Sequence, residues 1–465
     1  MPPVIGEIQI AAAAPTPYPA GMKVLFLELD TDGSWAVAAL GPAFLAAYLR
    51  QHGHEASFLR VPVDRGVADV ADDIRREAPG LIGVSLTTRQ WLRARDLLAD
   101  LRRISNIPVI VGGLHPTFSP EDVLRHDGID YLCMGEGEAA LLELVEALEA
   151  GIAVDDGHVR NIWAKGGVRP KLRDPIEPLD SVPFMARDML DERWGVRHFS
   201  TQRGCPFPCT YCAARMYDRL YATSDTTSYG RRRSHANVLA ELAELRAQGP
   251  LSYIIFLDDT FTINHPWVRE FCKVYKRDFK IPFSLHARVE TVNETMLHEL
   301  AAAGCYHIVY GVESGSERVR REIMKRWATN QRFRDVFRWT KEAGIMPTAN
   351  YIIGTPGETR AEMAETIALH HELQPADFGF FVFYPYPGTD LFQTCREKGY
   401  LPEDYLTRPA NHRQSILNLP NVTQADIAAV YDQWTEIRAQ AAVRRSGGLD
   451  PAAVADDVRV AAMRG

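Results

Sequence analysis

The chain has 465 residues, 46% hydrophobic and 24% charged, with a formal net charge of −8 and a pI near 6.0. That composition is expected of a globular protein of two or three domains, and the acidic balance gives no general attraction to nucleic acid or an anionic membrane. No apolar run reaches the ~18 residues of a membrane span, and seven cysteines, an odd number and mostly scattered, argue against a disulfide framework and for a reducing cytoplasm.

Residues 1–22 are broken by prolines and lack a basic n-region, so a disordered leader is expected rather than a secretory signal. From Lys23 short apolar runs alternate with amphipathic segments. "KVLFLEL", "EASFLRV", "LIGVSLT", "IPVIVGG" and "YLCMG" read as strands, and "LGPAFLAAYLRQHG", "VADVADDIRREA", "RQWLRARDLLADLRRI", "SPEDVLRHDG" and "EAALLELVEALEAG" as helices. Near-continuous apolar strands alternating with helices predict a parallel sheet covered on both faces. Residues 23–151 are therefore expected to form a flavodoxin-like, doubly wound α/β domain that binds its ligand beyond the carboxyl ends of the strands. Residues 152–197 lose this rhythm; the prolines and charges of "RPKLRDPIEPLDSVPFMARDML" suit a linker.

The alternation resumes over residues 198–394. Six strands are read in "HFSTQRG", "YIIFLDD", "FSLHARV", "YHIVYGVES", "TANYIIG" and "FGFFVFYPY", separated by helical stretches such as "SHANVLAELAELRAQG" and "NETMLHELAAAG". Six such units predict an open, partial (β/α)6 barrel with its chemistry at the strand C-termini. Residues 395–465 are expected to form a small helical C-terminal region with an Ala-rich end.

The first barrel strand runs into "CPFPCTYC", which places Cys205, Cys209 and Cys212 within eight positions. Soft thiolates so closely spaced select zinc or an iron–sulfur cluster. A structural zinc site wants four ligands, and no fourth lies close in sequence. A [4Fe–4S] cluster held by three cysteines leaves one iron open to bind a substrate or cofactor.

This segment resembles the CxxxCxxC signature of radical S-adenosylmethionine (SAM) enzymes, with Tyr211 at the aromatic position, and the partial barrel is that family's fold. The resemblance covers roughly residues 198–390. It implies that the cluster binds SAM and splits it to a 5′-deoxyadenosyl radical. It also implies roles at other strand ends: Asp258 and Asp259 of "FLDDTF" toward the SAM amino group, and Glu313 and Ser314 of "GVESGSE" toward its polar edge. Arg288 would meet the SAM carboxylate, and Gly354 of "YIIGTPGE" would let adenine approach the backbone. Strand-to-helix caps use the same residue types. "YPYPGTD" matches a recurrent segment near the sixth strand or serves only to turn the chain.

The N-terminal sheet joined to this barrel resembles the class B radical SAM enzymes, in which a cobalamin-binding domain comes first. The residues that carry the match are Ser85 and Thr87 of "GVSLTT", Gly112, Gly113 and His115 of "VIVGGLHPT", and Gly135, Glu136 and Gly137 of "CMGEGE". Glycines there would let backbone approach a flat ligand, and the hydroxyls would meet the cofactor's nucleotide tail; a generic flavodoxin-like sheet would carry similar turns. The family's Asp-x-His-x-x-Gly loop has no counterpart, because "LELDTDGSW" holds no histidine. The cobalt is thus expected to lack a protein imidazole, with His115 either a cofactor contact or a turn residue. His52 and His54 are expected to be exposed groups at a helix end.

The three cofactors together imply methylation of an unactivated carbon of a small molecule: one SAM methylates cobalamin and a second generates the radical, with reduced ferredoxin or flavodoxin as electron donor. A radical cyclase or ring-rearranging enzyme shares the architecture. A cobalamin sensor or carrier leaves the cysteines unexplained, and a tRNA methylthiotransferase would need further cysteines in the first half, which offers only Cys133. The "GRRRS" run from Gly230 is expected to be a local anchor.

Overall fold

A computed structural model describes residues 21–31, 40–222 and 230–445. Most of the leader, the "LELDTDGSW" loop from residue 32 onward and the Ala-rich end beyond residue 445 lie outside the described residues. The chain divides into two compact units, the first reaching Asp191 and taking in the segment Arg219–Ser228, the second formed by the rest.

The first unit is a six-stranded sheet of β1 (Lys23–Leu29), β2 (Glu55–Val61), β3 (Leu81–Ser85), β4 (Val109–Gly112), β5 (Tyr131–Cys133) and β6 (Ile162–Ala164), in the order β2-β1-β3-β4-β5-β6. The first five are parallel. Successive side chains of a strand face opposite ways, and β1 shows why this one reads as unbroken apolar sequence. Leu25, Leu27 and Leu29 join Val61, Ile74 and Trp91 on one face, whereas Val24 and Phe26 join Ala46, Leu49 and Leu141 on the other. Both faces are covered, so neither tolerates polar residues.

Two expectations need correction here. The stretch read as a linker supplies β6, antiparallel to β5, and buries Met185, Met189 and Leu190 in the same core. Arg50 donates to Asp188 at 2.7 Å, and Ala186 N–H donates to the Ala43 carbonyl. A strand of three residues leaves too short a pattern to read. His54 is buried rather than exposed, its Nδ1 accepting the Met22 N–H at 3.2 Å; His52 is exposed as expected.

The second unit begins with β7 (Val196–Phe199), followed by a small antiparallel ladder of β8 (Gln202–Arg203) and β9 (Arg231–Arg232). Next come β10 (Tyr253–Phe256), β11 (Phe283–Ala287), β12 (Cys305–Glu313), β13 (Met346–Ile353) and β14 (Asp377–Val382). The large sheet runs β14-β13-β12-β11-β10-β7, parallel throughout. Each strand thus lies beside its neighbour in sequence, as right-handed strand–helix units require. The intervening helices start at residues chosen for capping: the side chains of Ser234, Asn264, Asn293, Thr329 and Thr359 each accept a first-turn N–H. Between sheet and helices Phe256 meets Phe261, Phe271 and Phe283 edge-on or tilted, the geometry aromatic quadrupoles favour.

The long C-terminal helix Gln424–Arg445 packs on this sheet. Its Trp434 is fully buried, with ring centroids 4.8 Å from Tyr351 and 5.7 Å from Phe380. Replacing Trp434 with Ala is expected to cost about 3–5 kcal/mol, read as a lower urea midpoint for the transition of the second unit and little change in that of the first.

Candidate active site

The cysteine loop leaves β7 and is held by polar contacts on three sides. Asp258, at the end of β10, is buried; its Oδ1 accepts the Thr201 N–H at 2.6 Å and the Gln202 N–H at 2.9 Å, and its Oδ2 accepts the Thr201 hydroxyl at 2.7 Å. Thr210, between two cysteines, donates its hydroxyl to the Ile323 carbonyl at 2.6 Å, and its own carbonyl accepts the Leu391 N–H. That second bond explains "YPYPGTD": Thr389 caps the helix Asp390–Glu397, which presents Leu391 to the loop. On the third side the basic run turns inward, with Arg231 and Arg233 buried and Arg232 partly so. Arg232 donates to Gln202 and to the Phe261 carbonyl with its guanidinium 4.4 Å over the Trp267 ring. Arg233 donates to the Ser200 carbonyl at 3.1 Å and pairs with buried Glu241 at 2.7 Å. Buried arginines are stable only when paired in this way.

Cys205 and Cys209 are buried and Cys212 partly so. Cys205 Sγ lies 3.6 Å from the Thr260 hydroxyl, and Cys209 Sγ accepts an N–H from Arg288 at 3.0 Å. Burial pushes the Cys205 and Cys212 thiols up, Cys212 to about 12. Thiolate ligation then needs a strongly positive metal group to displace the protons. Among the described residues no group of three or more His, Cys, Asp or Glu side chains is placed to hold a single metal ion. A cubane asks something different, because each cysteine binds its own iron. The three cysteines, the Arg288 donor and the rigid loop fit that group.

The two adjacent acids predicted at the end of β10 separate. Asp258 spends its oxygens on the loop backbone, so its position serves the loop rather than a cofactor amino group. Asp259 has its side chain at the surface; burial among neighbouring protein atoms, then the charge of Asp258, raise its carboxyl to about 6. Arg288 is committed to Cys209 and, at 2.7 Å, to Glu290. Glu313 closes β12 at φ +68 and accepts from Arg326 at 3.3 Å. Arg326 also donates to the Tyr211 hydroxyl at 3.1 Å and to the Gly311 carbonyl at 2.7 Å. Burial raises both the Glu313 carboxyl and the Tyr211 phenol. Ser314 is wholly internal, its hydroxyl 3.4 Å from Thr366 Oγ1 and accepting the Ser316 N–H.

Gly354 adopts φ +79, and an added Cβ would lie 2.9 Å from Ile427. Its N–H donates at 2.7 Å to Glu358, which also accepts from the Thr355 N–H and hydroxyl. Burial raises the Glu358 carboxyl to about 7. The residues missed from sequence, Thr260, Arg326 and Glu358, act through partners distant in the chain or through backbone; Thr260 and Glu358 stood inside the quoted "FLDDTF" and "YIIGTPGE", and Arg326 had no local signal.

In the first unit the loops after β3, β4 and β5 are joined side by side. Leu86 N–H donates to the Gly112 carbonyl and His115 N–H to the Leu86 carbonyl, while Gly135 N–H donates to Thr117 Oγ1 at 3.1 Å. Ser85 belongs to this group, since a Cβ at Gly113 would lie 3.0 Å from its hydroxyl. Thr87 is instead a helix cap, exchanging contacts with Gln90. Gly113 and Gly135 are explained by the chain itself. At Gly113, φ +94, a Cβ would meet the Leu86 backbone at 2.9 Å, and at Gly135 the Tyr221 hydroxyl at 2.1 Å. At Gly112 and Gly137 it would meet Cys133 at 3.5 Å. Glu136 accepts the Ile176 N–H on its side chain and donates its own N–H to Tyr221. His115 is buried with its ring 5.1 Å from Trp91. Its Nδ1 lies 3.2 Å from Thr88 Oγ1 while Nε2 has no protein partner, and burial pushes it down to about 4. A neutral imidazole with a buried nitrogen that has no protein partner, in the loop after β4, fits a polar cofactor group there.

A family model for the radical SAM superfamily matches residues 199–370, and one for the B12 binding domain matches residues 36–145. Over 394 residues the chain is 30% identical to an uncharacterized methyltransferase of Pyrococcus horikoshii, spanning 80% of this chain and 83% of the relative. It is 26% identical over 410 residues to the anaerobic magnesium-protoporphyrin IX monomethyl ester cyclase of Rubrivivax gelatinosus, 81% of this chain and 70% of that one. Among solved structures, the radical SAM methyltransferase TsrM from Kitasatospora setae shares the fold with a TM-score of 0.66 at 19% identity, over 82% of this chain and 77% of TsrM. Three cysteines on a rigid loop after the first barrel strand, in a chain that opens with a B12-binding sheet, agree with these likenesses, and the protein belongs to the cobalamin-dependent radical SAM enzymes, whose cofactors are a [4Fe–4S] cluster, SAM and cobalamin.

Proposed function

We propose that the protein is a methyltransferase acting on an unactivated carbon of a small-molecule substrate. The observation that carries this reading is the three-cysteine loop, braced by Asp258, Thr210 and Arg288 and flanked by the uncommitted carboxylate of Asp259, in a chain 30% identical to a methyltransferase. Cys205, Cys209 and Cys212 hold three irons, Asp259 takes the SAM ammonium, and the Gly354 turn offers backbone to adenine. Ser85 and His115 hold cobalamin. Bound by these residues, the cluster and SAM supply a radical able to take hydrogen from carbon, and cobalamin carries the methyl group. Reduced ferredoxin or flavodoxin delivers the electron in the cytoplasm, and the net charge of −8 supports a small molecule rather than nucleic acid as substrate. No helix among the described residues is long and apolar enough to cross a membrane.

A cyclase or ring-rearranging reading is the alternative, favoured by the similarity to the Rubrivivax gelatinosus cyclase. Mass spectrometry with SAM carrying a deuterated methyl group separates the two. The proposed enzyme places the labelled methyl in the product and forms both S-adenosylhomocysteine and deoxyadenosine; deoxyadenosine with an unmethylated, cyclised product would decide for the alternative. Replacing Cys205, Cys209 and Cys212 together with Ala is expected to abolish the broad visible absorbance of the reconstituted protein and all SAM cleavage.

The carboxyl of Asp259 adds a pH dependence. Held at about 6, it is charged at neutral pH and takes a proton as pH falls through that value, losing its attraction for the SAM ammonium. SAM affinity of the reconstituted protein, measured by equilibrium dialysis, is expected to weaken about fourfold between pH 7.5 and 5.5, and Asp259→Asn to bind weakly and evenly across that range.

A further inference from the structure

Arg288 carries more than its predicted role. It follows β11 with a side chain only 6% exposed, clamped from three directions. One terminal nitrogen donates to Cys209 Sγ at 3.0 Å, the other to Glu290 Oε1 at 2.7 Å, and the guanidinium carbon lies 3.9 Å over the ring of Phe207. Phe207 is itself part of the cysteine loop, two residues before Cys209. The remaining Nε is buried without a protein partner. An arginine that grips a carboxylate does so with two parallel N–H donors on one edge. Here each terminal nitrogen already has a partner of its own, and the donor left over is Nε.

We propose that Arg288 acts on the cluster through Cys209 and sets its reduction potential. The inference rests on the assignment of the three cysteines as cluster ligands. The couple concerned is a one-electron change, in which the cluster gains an electron from the donor with no bond made or broken. The added negative charge spreads onto the ligand sulfurs, and a fixed cation donating to one of them stabilises the reduced state more than the oxidised one. Arginine suits this task because it keeps its charge at every working pH. Glu290 holds the guanidinium in place and partly offsets its charge, so the pair presents a tempered positive field to Cys209. Phe207 fixes the plane and excludes water from the contact.

The test measures two quantities on anaerobically reconstituted protein of matched iron content. They are the cluster midpoint potential without SAM, by redox titration followed with electron paramagnetic resonance, and SAM affinity by equilibrium dialysis. Arg288→Gln is expected to lower the ratio of reduced to oxidised cluster about tenfold at a fixed potential, a shift of about 59 mV to more negative values for a one-electron couple, and Arg288→Lys to restore most of it. Glu290→Gln removes the offsetting charge and is expected to shift the potential the opposite way. An unchanged midpoint in Arg288→Gln with weakened SAM binding would overturn the proposal and return Arg288 to the SAM carboxylate. If Arg288→Gln holds no cluster, Glu290→Gln decides: a shift to more positive potential supports the proposal, and an unchanged or more negative one overturns it. A wild-type protein that holds no cluster would fail the cysteine assignment itself, and the proposal with it.

Discussion

The buried carboxylate of Asp258 fixes the chain just before the first cysteine by accepting two backbone N–H groups and a hydroxyl from Thr201 and Gln202. A carboxylate this deep is costly unless its oxygens are satisfied, and here the groups that satisfy it are those that must be held still. In the cysteine loop Phe207 lies under the Arg288 guanidinium, and Cys212 is partly exposed. The loop's shape depends on directional bonds, which tolerate less error than hydrophobic contact. Thr210 extends the same principle to the middle of the loop, and Arg232 and Arg233 brace the strand residues that enter it.

Charge at the barrel mouth is organised in graded pairs. Arg326 neutralises Glu313 and fixes the Tyr211 hydroxyl, and Glu290 tempers Arg288. Each of these groups would be expensive to bury alone. Among the described residues the Asp259 side chain has no such partner and lies at the surface. Asp258 and Asp259, adjacent in the loop after β10, thus differ in surroundings: the first is buried on the cysteine loop and the second is exposed.

The first unit shows the reverse economy. Its strand-end glycines are needed where loops of the same unit cross closely, Gly113 against Leu86 and Gly135 against Tyr221. A glycine in such a loop is therefore weak testimony to a ligand. His115 is stronger, because a buried ring nitrogen without a protein partner is uncommon in a folded chain.

Local pattern alone determined the five parallel strands of the first sheet, the six of the second and the helices between them, since a parallel strand buried on both faces must be apolar throughout and a covering helix must repeat near every 3.6 residues. It also determined the cysteine cluster, because three soft ligands in eight positions have few uses. Tertiary structure decided what depends on partners far apart in the chain. It gave Asp258 to the loop and left Asp259 open, paired Glu313 with Arg326, made a strand and core residues of the proline-rich 152–197 segment, and turned Arg288 toward Cys209. Periodicity records which face of an element is buried, but a polar side chain's duty is set by the donor or acceptor that folding brings to it, and for Arg288 that partner is 79 residues away in sequence.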